Sequence, residues 1–350
     1  MPVREGLGDV FYSEPLVGFE DPLAKRRLKG LIDISGLSEK VKVLEFSPAG
    51  AEEILRVHTS RYFDFVKKSS ELGYGIAGDS TGIGQGTFMA ALRSAGACVA
   101  AAAAVYDRQV DNAYVLNHPP GHHATRDEGG GYCVFSNIPI AIEDLRFRRA
   151  LKRVAVVDWD VHHGNGTESI YYEDPDTLTV SLHQDQLYPT HSGSISHNGN
   201  GKGLGACLNI PLPAGSGHSA YITAMTRVVV PALERFRPEI IVVACGFDAS
   251  AMDPLGMQML SSDSFREMTS ILMSAASRIC QGKLIVCQEG GYSDAYVPWC
   301  GLAVVEQLAG WQTGAKDPYL NWISSIGGQQ IRSDQFEVIE RAEELVARIP

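Results

Sequence analysis

The sequence predicts an α/β protein, a three-layer α/β/α sandwich on a mostly parallel central sheet. Three observations carry that prediction. Runs rich in Val and Ile, unbroken by polar alternation, recur along the chain, as in strands buried on both faces. Longer helical stretches separate them. Four of the runs lead directly into loops carrying His, Asp or Tyr, and in parallel α/β folds the loops leaving the strand ends gather at one edge.

The strand-like runs fall at Asp9–Tyr12, Val41–Glu45, Ala113–Leu116, Val154–Val157, Leu178–Leu182, Ile240–Ala244 and Leu284–Cys287. Helical stretches occupy Thr87–Tyr106, Ser136–Arg149, Ser219–Phe236, Ser264–Cys280 and Pro298–Gly310. Within the first, Ser94–Val105 is alanine-dominated and shorter than the ~20 residues of a bilayer span, so it reads as a buried helix. The basic cluster Lys25-Arg-Arg-Leu-Lys29 reads as the solvated face of a helix. Between Leu182 and Ala206 the chain is rich in Gly, Ser, Asn and His, too irregular for an element and too long for an ordinary connection. A last helix is expected at Asp334–Arg348, as a cap or an oligomer contact. No Pro/Gly/Ser linker interrupts residues 118–292, so residues 1–350 read as one domain.

An apolar content of 45% and a mean hydropathy of −0.05 suit a soluble protein with a sizeable core. Seven cysteines, an odd number without a Cys-x-x-Cys pair, form neither a disulfide framework nor a thiolate zinc site. Cys98, Cys245 and Cys287 read as packing residues, and the N-terminus lacks the apolar core of a secretory signal. A cytoplasmic protein is expected. The net charge of −11 argues against nucleic-acid binding, which needs a basic face, and mildly favours cationic substrates.

The chemistry sits in the loops. Asp158-Trp-Asp-Val-His-His-Gly-Asn-Gly166 follows one apolar run and Cys245-Gly-Phe-Asp-Ala249 another. Asp160, His162 and Asp248 could thus offer one nitrogen and two oxygens to a divalent metal, leaving a coordination position open as catalytic zinc requires. Alone, an Asp-x-His pair is more often a loop hydrogen-bond network. Here His118-Pro-Pro-Gly-His122-His123 and Gln288-Glu-Gly-Gly-Tyr292 also follow strand-like runs, and the combination reads as a metallohydrolase. Adjacent His122 and His123 cannot point the same way on an extended backbone, so they can take different roles. Other histidines have plainer readings: His58 as a capping or packing residue, His218 as the opening of a helix, His183 behind the site, and His191 and His197 as solvated loop groups, with a rim role open to the last two. Gly290-Gly291 lacks the Lys-Ser/Thr of a phosphate cradle, and its glycines give the Tyr292 loop freedom. Met252, Met257 and Met259 read as core or channel filling.

These segments, in this order, together with Thr179-Val-Ser-Leu-His183, resemble the zinc-dependent histone deacetylase family, whose fold is of the arginase-deacetylase type. The similarity runs from about Tyr12 to about Gln312, with residues 313–350 divergent. Asn165 and the Pro-Pro-Gly-His-His wording are similar to the class II branch and its bacterial relatives.

The resemblance implies hydrolysis of an N-acyl amide, with one Zn2+ per subunit on Asp160, His162 and Asp248. By the same resemblance His123 is the general base, His122 holds charge and is oriented by Asp158, and Asn165 stands behind His123 where class I members carry Asp. Tyr292 is the oxyanion donor; members with His there are poor with acetyl groups. Gly131, Tyr132 and Tyr188 match a narrow channel lined by two aromatic rings, with the segment after Leu182 as an entrance wall. Leu255 stands where polyamine-specific members carry a gatekeeping glutamate, which leans toward acyl-lysine. Ser80 matches a rim serine of some class II members. A structural K+ or Na+ is implied at Asp158 and Ser181 with the carbonyls of Asp160, His162 and Leu182.

The expected partner is a small-molecule or peptide N-acyl amine, with no membrane or direct nucleic-acid contact and with a homo-oligomer open. Acetylpolyamine deacetylation is the alternative within the same chemistry. An arginase-like ureohydrolase would need two bridged metals and would leave the histidine pair and Tyr292 without work. A non-catalytic acyl-lysine binder would not need every catalytic position filled. Native substrate, acyl length and zinc against iron stay open at this level.

Overall fold

Six parallel strands form the central sheet of the computed structural model, which describes residues 19–350. The strands are, in chain order, a hairpin of β1 (Tyr74–Asp79) and β2 (Thr81–Gly84), then β3 (Asn112–Val115), β4 (Gly129–Gly130), β5 (Val154–Asp158), β6 (Thr177–Gln184), β7 (Cys207–Leu212), β8 (Ile240–Cys245) and β9 (Leu284–Gln288). The main sheet has the order β3-β9-β8-β5-β6-β7, and β2-β1-β4 make a small separate sheet.

Helix α1 (Leu23–Ile34) precedes α2 (Ala51–Leu55), α3 (Ser60–Leu72), α4 (Thr87–Tyr106), α5 (Asn137–Arg149) and α6 (Asn165–Tyr171). Residues of α2 to α6 build the core on one sheet face. On the other face α1 is joined by α7 (His218–Ala224), α8 (Val230–Phe236), α9 (Ser262–Cys280), α10 (Val297–Ala309), α11 (Leu320–Ser325) and α12 (Ser333–Val346). This is the α/β/α sandwich the sequence predicts. Every residue of β5 and β8 is buried. On β5, Ala155 and Val157 serve one core while Val154 and Val156 serve the other, as the two-residue strand period dictates.

Some expectations change. Asp9–Tyr12 lies outside the described residues. Val41–Glu45 is not a strand: it pairs with no ladder among the described residues, and Val43 is exposed, so propensity finds no partner strand to satisfy its backbone. The stretch Ser219–Phe236 is two α-helices joined through a π turn at Met225–Val229. Lys25 is not solvated but buried, with its ammonium 3.6 Å from Glu20. Helix α4 reaches 20 residues and is apolar enough, by length and composition, to cross a bilayer; Ala91, Ala95, Cys98, Ala102 and Val105 lie in the core. Sequence reading also missed the β1–β2 hairpin and the edge strand β7. Helix α12 packs against β7 through buried Ile339 and Ala342, covering a sheet edge that would otherwise be open to pairing. Arg227 to Glu343 and Arg235 to the Ile349 carbonyl fasten it.

Parallel register places the functional loops together. Asp158 lies opposite both Ser181 and Ala244, and Cys245 opposite Gln288. The loops leaving β5, β8 and β9 therefore start level at one edge of the sheet.

Candidate active site

Asp160, His162 and Asp248 converge. Their ligand atoms all lie within 4.8 Å of one another, and all three residues are buried. His162 Nδ1 is 3.0 Å from Asp160 Oδ1 and 3.1 Å from Asp248 Oδ2. Backbone amides aim the carboxylates: Val161 donates to Asp248 Oδ1, His162 to Asp160 Oδ1 and Gly290 to Asp160 Oδ2. Such a cluster is costly without a cation, because burial and then Asp160 push the Asp248 carboxyl up to about 6. Two oxygens and one imidazole nitrogen at this spacing fit a divalent ion.

The two neighbouring histidines diverge in their partners. His122 Nδ1 meets Asp158 Oδ2 at 2.9 Å, and His123 Nδ1 meets Asn165 Oδ1 at 2.7 Å. Burial opposes charge on His122, yet Asp160 and Asp158 outweigh it and raise its pKa to about 10. For His123 burial acts in the same direction as the positive charge on His122 and His162, and its pKa falls well below the usual value. One imidazole is thus held cationic and the other neutral. Asn165 reaches His123 because it opens α6, whose first turn hangs from the His122 carbonyl through the amides of Gly166 and Thr167.

Tyr292, half-buried, follows the glycine pair at the end of β9. Its ring lies 6.5 Å from that of His162 and 5.8 Å from that of Tyr132. Glycine is required at both preceding positions: a Cβ on Gly290 would sit 2.2 Å from Asp248 Oδ2, and Gly291 has φ +119°. Tyr188 stands edge-on to His123 at 5.0 Å. Gly131, at φ +47°, lies beneath: a Cβ there would come within 2.3 Å of His123 Cδ2 and 2.8 Å of Tyr188 Cε1. Gly131 therefore packs against both His123 and Tyr188, while Tyr132 packs against Tyr292. Leu255 is half-buried on the loop that follows Asp248. Ser80 lies at the exposed turn between β1 and β2, with φ +55°, and the neighbouring Asp79 carbonyl accepts from the Gly131 amide. Ser181 faces Asp158 across the β5–β6 pair, its hydroxyl 2.9 Å from His183 Nδ1; Leu182 is buried next to it.

The segment after β6 is anchored in a way the sequence did not reveal. His197 is not merely solvated: its Nδ1 is 3.6 Å from Glu168, and its carbonyl accepts from Asn209. His163 ties the same segment through Ser192 and also meets Glu168 Oε2 at 3.0 Å. Burial opposes ionisation of Glu168, but His163, with Asn209 and Cys207, lowers its pKa to about 2. Two further buried carboxylates were also missed. Glu289 accepts from the amides of Gly121 and His122, and Asp253 accepts from those of Tyr292 and Leu255. An acidic residue next to a catalytic motif was the only available signal.

Residues 21–308 match the histone deacetylase domain family. The chain belongs to the histone deacetylase family. Among curated relatives, this deacetylase homologue is 50% identical over 304 residues to a histone deacetylase-like amidohydrolase of Pseudomonas aeruginosa, covering 87% of this chain and 80% of that protein. It is 36% identical over 321 residues to histone deacetylase 8 of Arabidopsis thaliana, covering 86% of this chain and 83% of the other. Among solved structures, that of the HDA15 HD domain superposes with a TM-score of 0.86 at 28% identity, covering 97% of this chain and 90% of that one. Deacetylase or amidohydrolase activity follows from membership of this family.

Proposed function

We propose that this chain is a zinc-dependent deacetylase that removes acetyl or another short acyl group from amines such as acyl-lysine. The convergence of Asp160, His162 and Asp248 beside a histidine pair of opposite charge preference carries this reading. Zinc held by those three residues would supply Lewis acidity, polarising the scissile carbonyl and making water nucleophilic near neutral pH.

The chain's own groups do the rest. Donation from His123 Nδ1–H to Asn165 leaves the other ring nitrogen free to take a proton from the attacking water. His122, kept cationic by Asp158, steadies the negative charge that develops in the transition state. The Tyr292 phenol donates to the oxyanion, where a fixed donor is worth most. Tyr132 and Tyr188 give an aliphatic stem an apolar slot, and Leu255 offers no carboxylate to a second ammonium, which supports acyl-lysine over a polyamine.

A monovalent cation near Asp158 and Ser181 is part of the proposal. The register that sets Asp158 opposite Ser181 supports it; a neighbouring cavity of about 10 Å³ is lined by the same two residues but not by Asp160, His162 or Leu182. The cysteine pattern supports a cytoplasmic location, and the net charge of −11 supports a substrate other than nucleic acid.

A fluorogenic acetyl-lysine peptide assayed with and without a chelator tests the reading. Release of acetate that stops on chelation and returns with Zn2+ is expected; no metal-dependent release across several acyl lengths would refute it.

A further inference from the structure

We propose that Asp253 is a positioning residue, which acts through Tyr292 by fixing where the phenol stands relative to the metal-ligand loop. The inference rests on the deacetylase reading above, in which Tyr292 is the oxyanion donor.

Asp253 is buried, and among the described residues its oxygens are engaged by backbone amides. Its two oxygens are divided. Oδ1 accepts from the Leu255 amide at 2.9 Å, a local turn that asparagine or serine could also make. Oδ2 accepts from the Tyr292 amide at 2.7 Å, from a loop 39 positions away in the chain. The second bond is not local, and it joins the loop that carries Asp248 to the loop that carries the phenol.

Tyr292 depends on that bond because its loop has little else to hold it. Gly290 and Gly291 contribute no side chains, and they lie directly on the ligand loop, with Gly291 against Phe247. The Gly290 amide is fixed to Asp160 and its carbonyl to the Phe247 amide. Beyond Gly291, whose backbone is free to turn, the Asp253 carboxylate is the next fixed point. The Leu255 amide hangs from the same carboxylate. One group therefore ties the loop of the oxyanion donor to the metal-ligand loop, and a shift of about 1 Å in such a donor can cost on the order of 100-fold in rate.

The experiment is a double-mutant cycle on the zinc-loaded full chain, with Asp253→Asn, Tyr292→Phe and the double variant, assayed on a fluorogenic acetyl-lysine peptide. Rates are normalised to active sites titrated with a tight-binding hydroxamate. D253N keeps one acceptor oxygen but presents an amide group in place of the other. We expect kcat to fall about 10- to 100-fold with KM within about threefold and zinc content unchanged, and we expect this loss to vanish when Tyr292 is already Phe. Equal losses in the two backgrounds would overturn the inference, and so would normal kcat per titrated site. Undiminished deacetylation by Y292F alone would instead refute the reading of Tyr292, and the inference with it. Where D253N folds poorly, Asp253→Ser, which retains a single acceptor, is carried through the same cycle: a loss confined to the Tyr292 background supports the inference, and equal losses overturn it.

Discussion

His123 Nδ1 lies 2.7 Å from the amide oxygen of Asn165, while its neighbour His122 is held by the carboxylate of Asp158 at 2.9 Å. The two side chains behind the histidines differ by one charge, and that difference sets the proton distribution. An amide accepts from the imidazole N–H without favouring a second proton on the ring. A carboxylate does favour it.

Asn165→Asp should therefore make His123 more basic. Because a general base must be neutral to act, stabilising its imidazolium moves the acid limb of kcat/KM to higher pH, by about one unit or more. A pH–rate profile from about pH 5 to 9 decides this. An unmoved acid limb would mean that His123 is not the base.

Tyr292→Phe removes only the phenolic hydroxyl. A single oxyanion donor contributes about 100- to 1,000-fold to kcat, so a loss of that order is expected with KM and zinc stoichiometry little changed. Steady-state kinetics beside metal analysis makes the distinction. A rise in KM at constant kcat would assign the ring to binding alone.

Leu255→Glu places a carboxylate on the loop that follows Asp248, at the position proposed to discriminate acyl-lysine from polyamine. The ratio of kcat/KM on N-acetylputrescine to that on an acetyl-lysine peptide should rise at least tenfold, the equivalent of about 1.4 kcal/mol of new ion pairing at a desolvated site. An unchanged ratio would remove Leu255 from the specificity argument.

Much of this site was legible in the chain because its residues follow apolar runs directly. Asp160 and His162 come just after β5, Asp248 after β8 and Tyr292 after β9, so parallel strands alone bring the loops together. What stayed hidden depends on tertiary partners. Val41–Glu45 has strand propensity and no ladder, Lys25 sits in a basic run yet is buried against Glu20, and His197 lies in a loop of small polar residues although Glu168 holds it. Carboxylates that clamp amides, Glu289 and Asp253, carry no spacing rule at all, since an acceptor facing a distant backbone N–H leaves no periodic trace.

Removing the metal should destabilise the fold. Asp160 and Asp248 face one another in the interior, and burial together with Asp160 already raises the Asp248 carboxyl to about 6. A dication relieves that conflict, and binding of the native state alone contributes about 2.7 kcal/mol at a free metal concentration 100 times Kd. Thermal unfolding should show a lower Tm after chelation, recovery with Zn2+, and no response to either in Asp160→Asn. Identical melting of the wild type with and without chelator would place the metal elsewhere.

His58 gives a stability test independent of catalysis. It is buried beside Tyr62 and Phe135, and its Nε2 accepts from the Ser136 amide. Burial lowers its pKa from 6.5 to about 4, so the folded chain keeps the ring neutral where the unfolded chain would protonate it. The sign follows: the stabilisation is complete above pH 6.5 and is lost as pH falls toward 4. Between pH 7 and pH 4.5 the loss is about 2–3 kcal/mol, at 1.36 kcal/mol per pKa unit. Glu168 does not share this window, because its lowered pKa of about 2 makes its contribution fall only below about pH 4.5. His183, lowered to about 3 by burial and by His163, does share it. Denaturant unfolding of wild type and His58→Gln at both pH values separates them: the variant starts less stable at pH 7 but should lose about 2–3 kcal/mol less on acidification. Parallel losses in the two proteins would mean that His58 is protonated in the fold.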